Sequence, residues 1–453
     1  MTPYWSAEDV TLHLGDCLAV MAGMAGASVD AVVTDPPYGL EFMGAEWDKF
    51  GRDTGNGYRE KPRMTADHMG KGFKELPNHL EAGRPYQQWC EAWAAECLHV
   101  LKPGGFLLAF GGTRTWHRLV CAIEDAGFEI RDSMSWLYGS GFPKSLDVAK
   151  AIDKAAGAER VIIAEGAAVR RMIPGADQNL TGSWIKDNGR EFVPTVTAPA
   201  TEAAAEWEGY GTALKPAWEP IAVARRPLAG TVVQNVLEHG TGALNIDGCR
   251  VEAAGRPHRV SHAEDTPGKT TYGSNGPGGG SHADGLTDAG RWPPNVLLGP
   301  EAAAELDRQS GVLTSGANPE RRSSDKFRDA YGKFAGQAGC TPHRGTDSGG
   351  ASRFFPVFRY EAKADAKERP RLKDGTAHPT VKPVDLMAWL VRLVTRPGAL
   401  ILDPFAGSGT TGQACLAEGR RCVLIEQHEP YCELIKVRLT KPIQPGLFDL
   451  EAS

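Results

Sequence analysis

A chain of 453 residues has room for two or three domains and a sizeable core, and 41% hydrophobic with 23% charged residues is the composition of an ordinary globular protein. No apolar run reaches the ~18 residues a membrane span needs, and no charged-then-apolar segment opens the chain, so neither a span nor a secretory leader is expected and the setting is cytoplasmic. The net charge of −6 excludes no partner, because nucleic-acid binding needs a local basic face rather than a basic total. The nine cysteines are scattered and never spaced C-x-x-C, which points to reduced thiols and away from a structural zinc or any other metal centre.

Residues 10–34 read as a strand (VTLHL), a turn at Gly15-Asp16, a helix, and the buried strand DAVVT. The next residues, Asp35-Pro36-Pro37-Tyr38, stop that strand, because proline has no N–H for a ladder and fixes φ near −65°. Asp35 and Tyr38 therefore project from a stiff loop at the carboxyl end of a strand, where open α/β sheets bind ligands; the bland alternative is a proline-braced turn. Residues 40–82 are polar and irregular, of a length typical of lids or disorder. Trp89, Trp93, Cys97 and Val100 then mark an amphipathic helix over 86–100, with a stop at LKPGG and a strand at 105–110. A helix over 113–126 and a strand region FEIRDSMSWLYG follow. This β-α-β-α-β alternation predicts a mainly parallel sheet with helices on both faces.

Beyond about residue 150 the periodicity decays into Gly/Ser/Thr/Asp tracts such as GSNGPGGGSHADG. Residues 310–372 hold twelve Lys/Arg against seven Asp/Glu, and Arg321, Arg322, Lys326, Arg328 and Lys333 interleave with Phe327 and Tyr331. That is the pattern of a surface that tracks phosphates and stacks bases, or else of a solvated face. Regular structure returns at HPTVKPVDLMAWLVRLVT, a helix with an apolar stripe, then the strand ALILD, the loop PFAGSGTT, a helix to Ala417, the strand CVLIE and a last helix from about Pro430. Neither end of the chain supplies a complete sheet.

ILDPFAGSGTTGQACLAEG, with Glu426 at the end of the following strand, is a glycine turn of the kind that lets a backbone approach a nucleoside while a later acid takes its ribose hydroxyls. No lysine follows Gly409 as a phosphate loop requires, which disfavours ATP. Taken in order, Gly15-Asp16, TDPPYG, a variable middle, HPTVKP and DPFAGSGTT followed by an acid resemble the DNA amino-methyltransferases of the permuted β group, over residues 10–150 and 375–440. GSGFPKS at 139–145 and the stretches YGTALKPAWEPIAVARRPL and NVLEHGTGALNIDG resemble prophage-type members.

The resemblance implies a Rossmann-like α/β fold with a seven-stranded sheet assembled from both chain ends. Residues 1–150 would form the catalytic half, 151–372 an inserted target-recognition region and 373–453 the cofactor half. It implies S-adenosylmethionine as cofactor and transfer of its methyl group to an exocyclic amine of a base flipped from duplex DNA. Asp35 and the Pro36 carbonyl would accept from the amine and Tyr38 would stack on the base. Phe405, Gly407, Gly409 and Glu426 would hold the cofactor, with Asp403 near its amine, Thr380 and Lys382 near its carboxylate and Asp16 near its adenine. Asp403, Lys382 and Asp16 also have structural readings, as a capping acid, a solvated helix start and a turn acid. Trp47 and Asp48 would belong to a lid, and Trp136 and Lys144 would touch DNA, with the core as the alternative for Trp136. No Pro-Cys dipeptide occurs, which removes cytosine-C5 chemistry. An aspartate at the first motif position points to adenine N6; cytosine N4, an RNA or protein amide, and an inactive DNA-binding protein are the alternatives. Duplex DNA is the expected partner, and a homodimer and a cognate restriction nuclease are compatible with the family.

Overall fold

The computed structural model describes residues 2–39, 79–139, 145–166, 191–253, 281–315, 347–358 and 370–440 apart from 373–375 and 379, with short strands at 169–170, 177–178, 184–185 and 256–261. Residues 1–140 and 218–453 form one compact unit and 141–217 a second. The first is built on a sheet of nine strands: β1 (Trp5–Ala7), β2 (Val10–Leu14), β3 (Val29–Thr34), β4 (Leu101–Phe110), β5 (Glu129–Leu137), β6 (Trp218–Arg225), β7 (Val296–Leu298), β8 (Leu400–Asp403) and β9 (Arg421–Glu426). Their order is β1-β2-β9-β8-β3-β4-β6-β5-β7.

The two chain ends interleave within this sheet. C-terminal β8 lies parallel to β3, with Ile401 opposite Ala31, and β9 lies parallel to β2, from Cys422 opposite Val10 to Glu426 opposite Leu14. Residues remote in sequence therefore share one edge, where β2, β9, β8, β3 and β4 all finish. Seven strands from β2 to β5 make up the expected sheet; β1, antiparallel to β2, and β7, parallel to β5, extend it to nine.

The expected insert boundaries need correction. Strand β6 lies antiparallel between β4 and β5, and the unit resumes at Trp218 rather than near residue 373. Its signal was weak in the sequence because WEPIAVAR carries a proline and two alanines, residues of low strand propensity. Burial on both sides, with Ile221 to Ala224 all nearly inaccessible, is what makes it a strand. LKPGG also behaves differently from a helix stop followed by a loop. Strand β4 begins at Leu101, and its Lys102–Gly105 stretch bulges, since Val29 faces Leu101 while Ala31 faces Phe106.

Helices cover both faces of the sheet. On one face pack α1 (Cys17–Ala22), α2 (His79–Val100) and α3 (Trp116–Asp125), through Met21, Trp93, Cys97, Leu119 and Ile123. Further along the chain come α4 (Val232–His239), α5 (Val384–Val394), α6 (Thr410–Ala417) and α7 (Glu429–Leu439). The last three cover the other face through Leu386, Leu390, Cys415 and Ile435. Burying side chains of this size contributes about 1.5–3 kcal/mol each. Among the described residues, no helix is long and apolar enough to cross a membrane.

The second unit is small. Its helix Val148–Ala155 is capped by Asp147 and carries the buried Asp153, which accepts from Arg160, Thr201 and the Ala200 N–H. A two-stranded ribbon pairs Ile162–Glu165 with Thr195–Thr197.

Candidate active site

Strand β3 ends with Thr34 buried, and the diproline then turns Asp35 and Tyr38 out at the carboxyl edge. Both flanking helices brace the loop. Tyr86 of α2 donates its hydroxyl to the Pro37 carbonyl at 3.2 Å, and Thr115, at the start of α3, donates to the Tyr38 carbonyl at 2.7 Å. Gly39 then takes φ +66°, where a Cβ would stand 2.7 Å from the Tyr86 ring, so glycine alone lets the chain leave the loop.

The Tyr38 hydroxyl donates to Asp35 Oδ1 at 2.7 Å. Lys382, just before α5, donates to Asp35 Oδ2 at 2.7 Å and to the Tyr38 hydroxyl at 3.1 Å. Its third partner is Glu219 Oε2 at 3.1 Å, from the start of β6, and the ammonium also lies 4.7 Å over the Phe110 ring. Burial alone would lower the lysine's proton affinity, but the two carboxylates outweigh it and hold the proton on. Burial pushes Glu219 up, a rise that Lys382 opposes and Asp35 reinforces. Burial, and then the charges of Asp35 and Glu219, keep the Tyr38 phenol protonated well above its ordinary range.

The glycine turn lies on the adjacent strand. Asp403, at the end of β8, is 3% exposed and accepts from Thr34 Oγ1 at 2.6 Å, Thr411 Oγ1 at 2.5 Å and the Phe405 N–H at 3.1 Å. Burial raises its carboxyl to about 6, against the pull of these donors. Its bonds tie the end of β3 to the glycine turn and to the Thr411 side chain. Gly407 and Gly409 both adopt left-handed φ, +50° and +77°. Glu426, at the end of β9, accepts from the Gly407 N–H at 2.8 Å and from the His428 N–H at 2.9 Å, and its burial raises the carboxyl to about 7. His378 packs beside this turn. Its ring meets Tyr431 edge-on at 4.7 Å, and its Nε2 lies 3.1 Å from where a Gly407 Cβ would stand.

A catalytic-type acid loop and a nucleoside-type glycine turn thus occupy neighbouring strands of one sheet edge. The model of the N6/N4 DNA methylase family matches residues 29–154 and 304–437, more than half of the chain. The chain belongs to this DNA methylase family. It is 29% identical over 133 residues to the type II methyltransferase M.HindIII of Haemophilus influenzae, covering 28% of this chain and 42% of that protein. To M.HinfI of the same organism it is 37% identical over 86 residues, 19% and 24% of the two chains. The chain therefore spans less than half the length of either curated relative. Among solved structures it is similar to the cytosine-N4-specific PvuII DNA methyltransferase, with a TM-score of 0.40, 13% identity, and coverage of 97% of this chain and 89% of that one.

The other expected residues are placed as follows in the chain. Asp16 caps α1, accepting from the Leu18 and Ala19 N–H groups at 3.0 and 3.2 Å, while Gly15 bonds to the Glu426 carbonyl, so this turn acid does stand beside Glu426. Phe405 packs against Trp89 and Trp93 with ring centroids 5.4 and 5.6 Å away. Lys382 joins the Asp35 cluster, where two carboxylates hold its ammonium. Thr380 is exposed, with its carbonyl on the His378 ring. Trp136 is fully buried in the core, packed beside Tyr138, and so cannot touch DNA. Trp47, Asp48, Lys144, Arg321, Arg322, Lys326 and Arg328 lie outside the described residues.

Sequence reasoning missed Glu219, His378 and Tyr431. The available signal for Glu219 was an acid followed by proline at the start of a short apolar run, within a stretch already matched to the family. His378 was visible as the first residue of HPTVKP.

Proposed function

We propose that this chain transfers a methyl group from S-adenosylmethionine to the exocyclic N6 of adenine in duplex DNA, acting on a base flipped out of the helix. The observation that carries the reading is Asp35 and Tyr38 on a braced loop, one strand away from a glycine turn closed by Glu426. The turn fits a nucleoside without a polyphosphate. Left-handed glycines leave room that a Cβ at Gly407 would fill, the neighbouring groups are aromatic or imidazole, and no phosphate-loop lysine follows. When bound, S-adenosylmethionine supplies an electrophilic methyl on a sulfonium sulfur.

The chain's own residues do the rest. An exocyclic amine is a poor nucleophile because its lone pair is delocalised into the ring. The Asp35 carboxylate and the Pro36 carbonyl accept from its N–H bonds and favour a pyramidal nitrogen, and the braced loop holds these acceptors ready before the base arrives. Tyr38 stacks on the flipped base, returning about 1–3 kcal/mol of the few that unstacking costs. Aspartate rather than serine at the first position of the loop favours adenine. Duplex recognition falls to those parts of 151–372 that lie outside the sheet. The type II naming of both relatives supports a cytoplasmic restriction-modification setting, with a cognate nuclease as partner; a homodimer belongs to the same reading.

Glu426 gives this reading a pH signature. Its carboxyl, raised to about 7, is ionised above that pH and protonated below it. If the ionised form takes the ribose hydroxyls, cofactor affinity falls with protonation, by about tenfold between pH 8 and pH 6. Calorimetric titration with S-adenosylmethionine checks this. Glu426→Gln should be weaker and flat across the same range, and a pH-independent wild type would remove Glu426 from the cofactor site.

The decisive experiment incubates the protein with unmethylated duplex DNA and labelled S-adenosylmethionine, digests the DNA to nucleosides and identifies the product by mass. N6-methyladenine is expected. N4-methylcytosine would keep the mechanism and change the base, and no labelled nucleoside would overturn the reading in favour of RNA, protein or simple DNA binding.

A further inference from the structure

The Lys382 ammonium has three N–H bonds and three acceptors: Asp35 Oδ2 at 2.7 Å, Glu219 Oε2 at 3.1 Å and the Tyr38 hydroxyl at 3.1 Å. The Tyr38 hydroxyl gives its own proton to Asp35 Oδ1. Each Asp35 oxygen is thus engaged by a neighbour, although on the reading above this carboxylate must face the amine of the target base, and Tyr38 must face its ring.

Asp35 can turn to a substrate only if Lys382 keeps a carboxylate elsewhere, because an ammonium left unpaired in a site this enclosed is costly. Lys382 has a side-chain exposure of 12%, and Glu219 of 19%. Glu219 stands within reach of the same nitrogen, on a strand whose direction brings it to this edge: β6 runs antiparallel, so its start meets the finish of β4 and β5. Two acids around one lysine leave a net negative charge, which lets the lysine lean to either one. We propose that Glu219 is a positioning residue that retains Lys382 when Asp35 turns to the target amine, so that Asp35, Tyr38 and Lys382 form a latch which the flipped base opens. The inference rests on the methyltransferase reading and adds to it a residue from the middle of the chain.

Glu219→Gln keeps the shape and removes the charge. Lys382 then has Asp35 as its sole carboxylate and holds it more firmly in the resting state, so transfer slows while the glycine turn is untouched. The charged and titratable groups facing the ammonium are Asp35, Glu219, the Tyr38 phenol and, at longer range, His378. Losing one carboxylate loosens the lysine's proton, so its titration moves to lower pH. Two readouts follow: single-turnover transfer to duplex DNA, and competitive acetylation of Lys382 by acetic anhydride across pH, read by mass spectrometry, which needs no activity.

In Glu219→Gln the transfer rate should fall on the order of 100-fold with unchanged cofactor affinity, and acetylation of Lys382 should begin at lower pH. Glu219→Asp, which keeps the charge on a shorter arm, should recover much of both. A transfer rate within about threefold of wild type, or an unmoved acetylation profile, overturns the proposal. If the wild type itself transfers nothing to DNA, the reading of the reaction falls, and with it the opening of the latch by a base; a shifted acetylation profile would still leave the Glu219–Lys382 link standing.

Discussion

Asp35→Ala should lower methyl transfer about 10²–10³-fold while S-adenosylmethionine binds as before. Asp35 lies on β3, and the groups proposed to hold the cofactor lie on β8, β9 and the turn between β8 and α6, so truncating it removes an acceptor for the amine and leaves the turn intact. The fold should tolerate the change, because Lys382 retains Glu219 at 3.1 Å and the loop retains its bonds from Tyr86 and Thr115. Tyr38 loses the acceptor of its hydroxyl, so part of the loss reflects a looser ring. Single-turnover transfer and calorimetric cofactor binding, measured on the same preparation, separate these effects. Turnover near the wild-type rate would end the assignment of Asp35 as the acceptor. Lost cofactor binding would show that Asp35 supports the turn rather than the amine.

Gly407→Asp should abolish detectable cofactor binding, a loss of at least about 100-fold in affinity, corresponding to about 2.7 kcal/mol. Three effects act together. The backbone at φ +50° costs a residue with a Cβ about 1–2 kcal/mol. The new Cβ would stand 3.1 Å from His378 Nε2, forcing that ring out of its edge contact with Tyr431. The new carboxylate would also come close to Glu426, which already accepts from the Gly407 N–H at 2.8 Å, and two buried acids repel. Gly407→Ala separates these contributions, since it keeps the backbone and steric costs without the charge, and should weaken binding by a smaller factor. Unchanged affinity in the aspartate variant would mean that the turn does not face the cofactor.

Much of this could be read from residue order. The diproline after an apolar strand specifies a stiff loop wherever it is placed, because proline's φ and missing N–H are local properties, and the loop is observed where it was expected. The glycine turn at 407–409, the helices α5 and α6 and the strands β8 and β9 were equally legible, since each is set by a contiguous run of apolar residues with a clear stop. The incompleteness of each end, with the family resemblance, also foretold that the two ends must meet in one sheet. These features depend on neighbours a few residues away, and sequence displays them directly.

What the tertiary structure alone decided is which side chain holds which. Strand β6 mixes a proline and two alanines with Trp, Ile and Val, so its propensity is divided; it becomes a strand because β4 and β5 pair with both of its edges. Only then does Glu219 reach Lys382, 163 positions later in the numbering. Asp403 could be read from sequence as a ligand or as a cap. The fold adds a further role: its bond to Thr34, across a separation of 369 residues, ties β3 to the glycine turn, and its donors satisfy a carboxyl that burial would otherwise leave unpaired. Trp136 could likewise have faced DNA or the core, and its place in the hydrophobic cluster on one face of the sheet settled it as core. Local geometry is written in adjacent residues, whereas charge pairing and burial depend on distances that exist only once the sheet has closed.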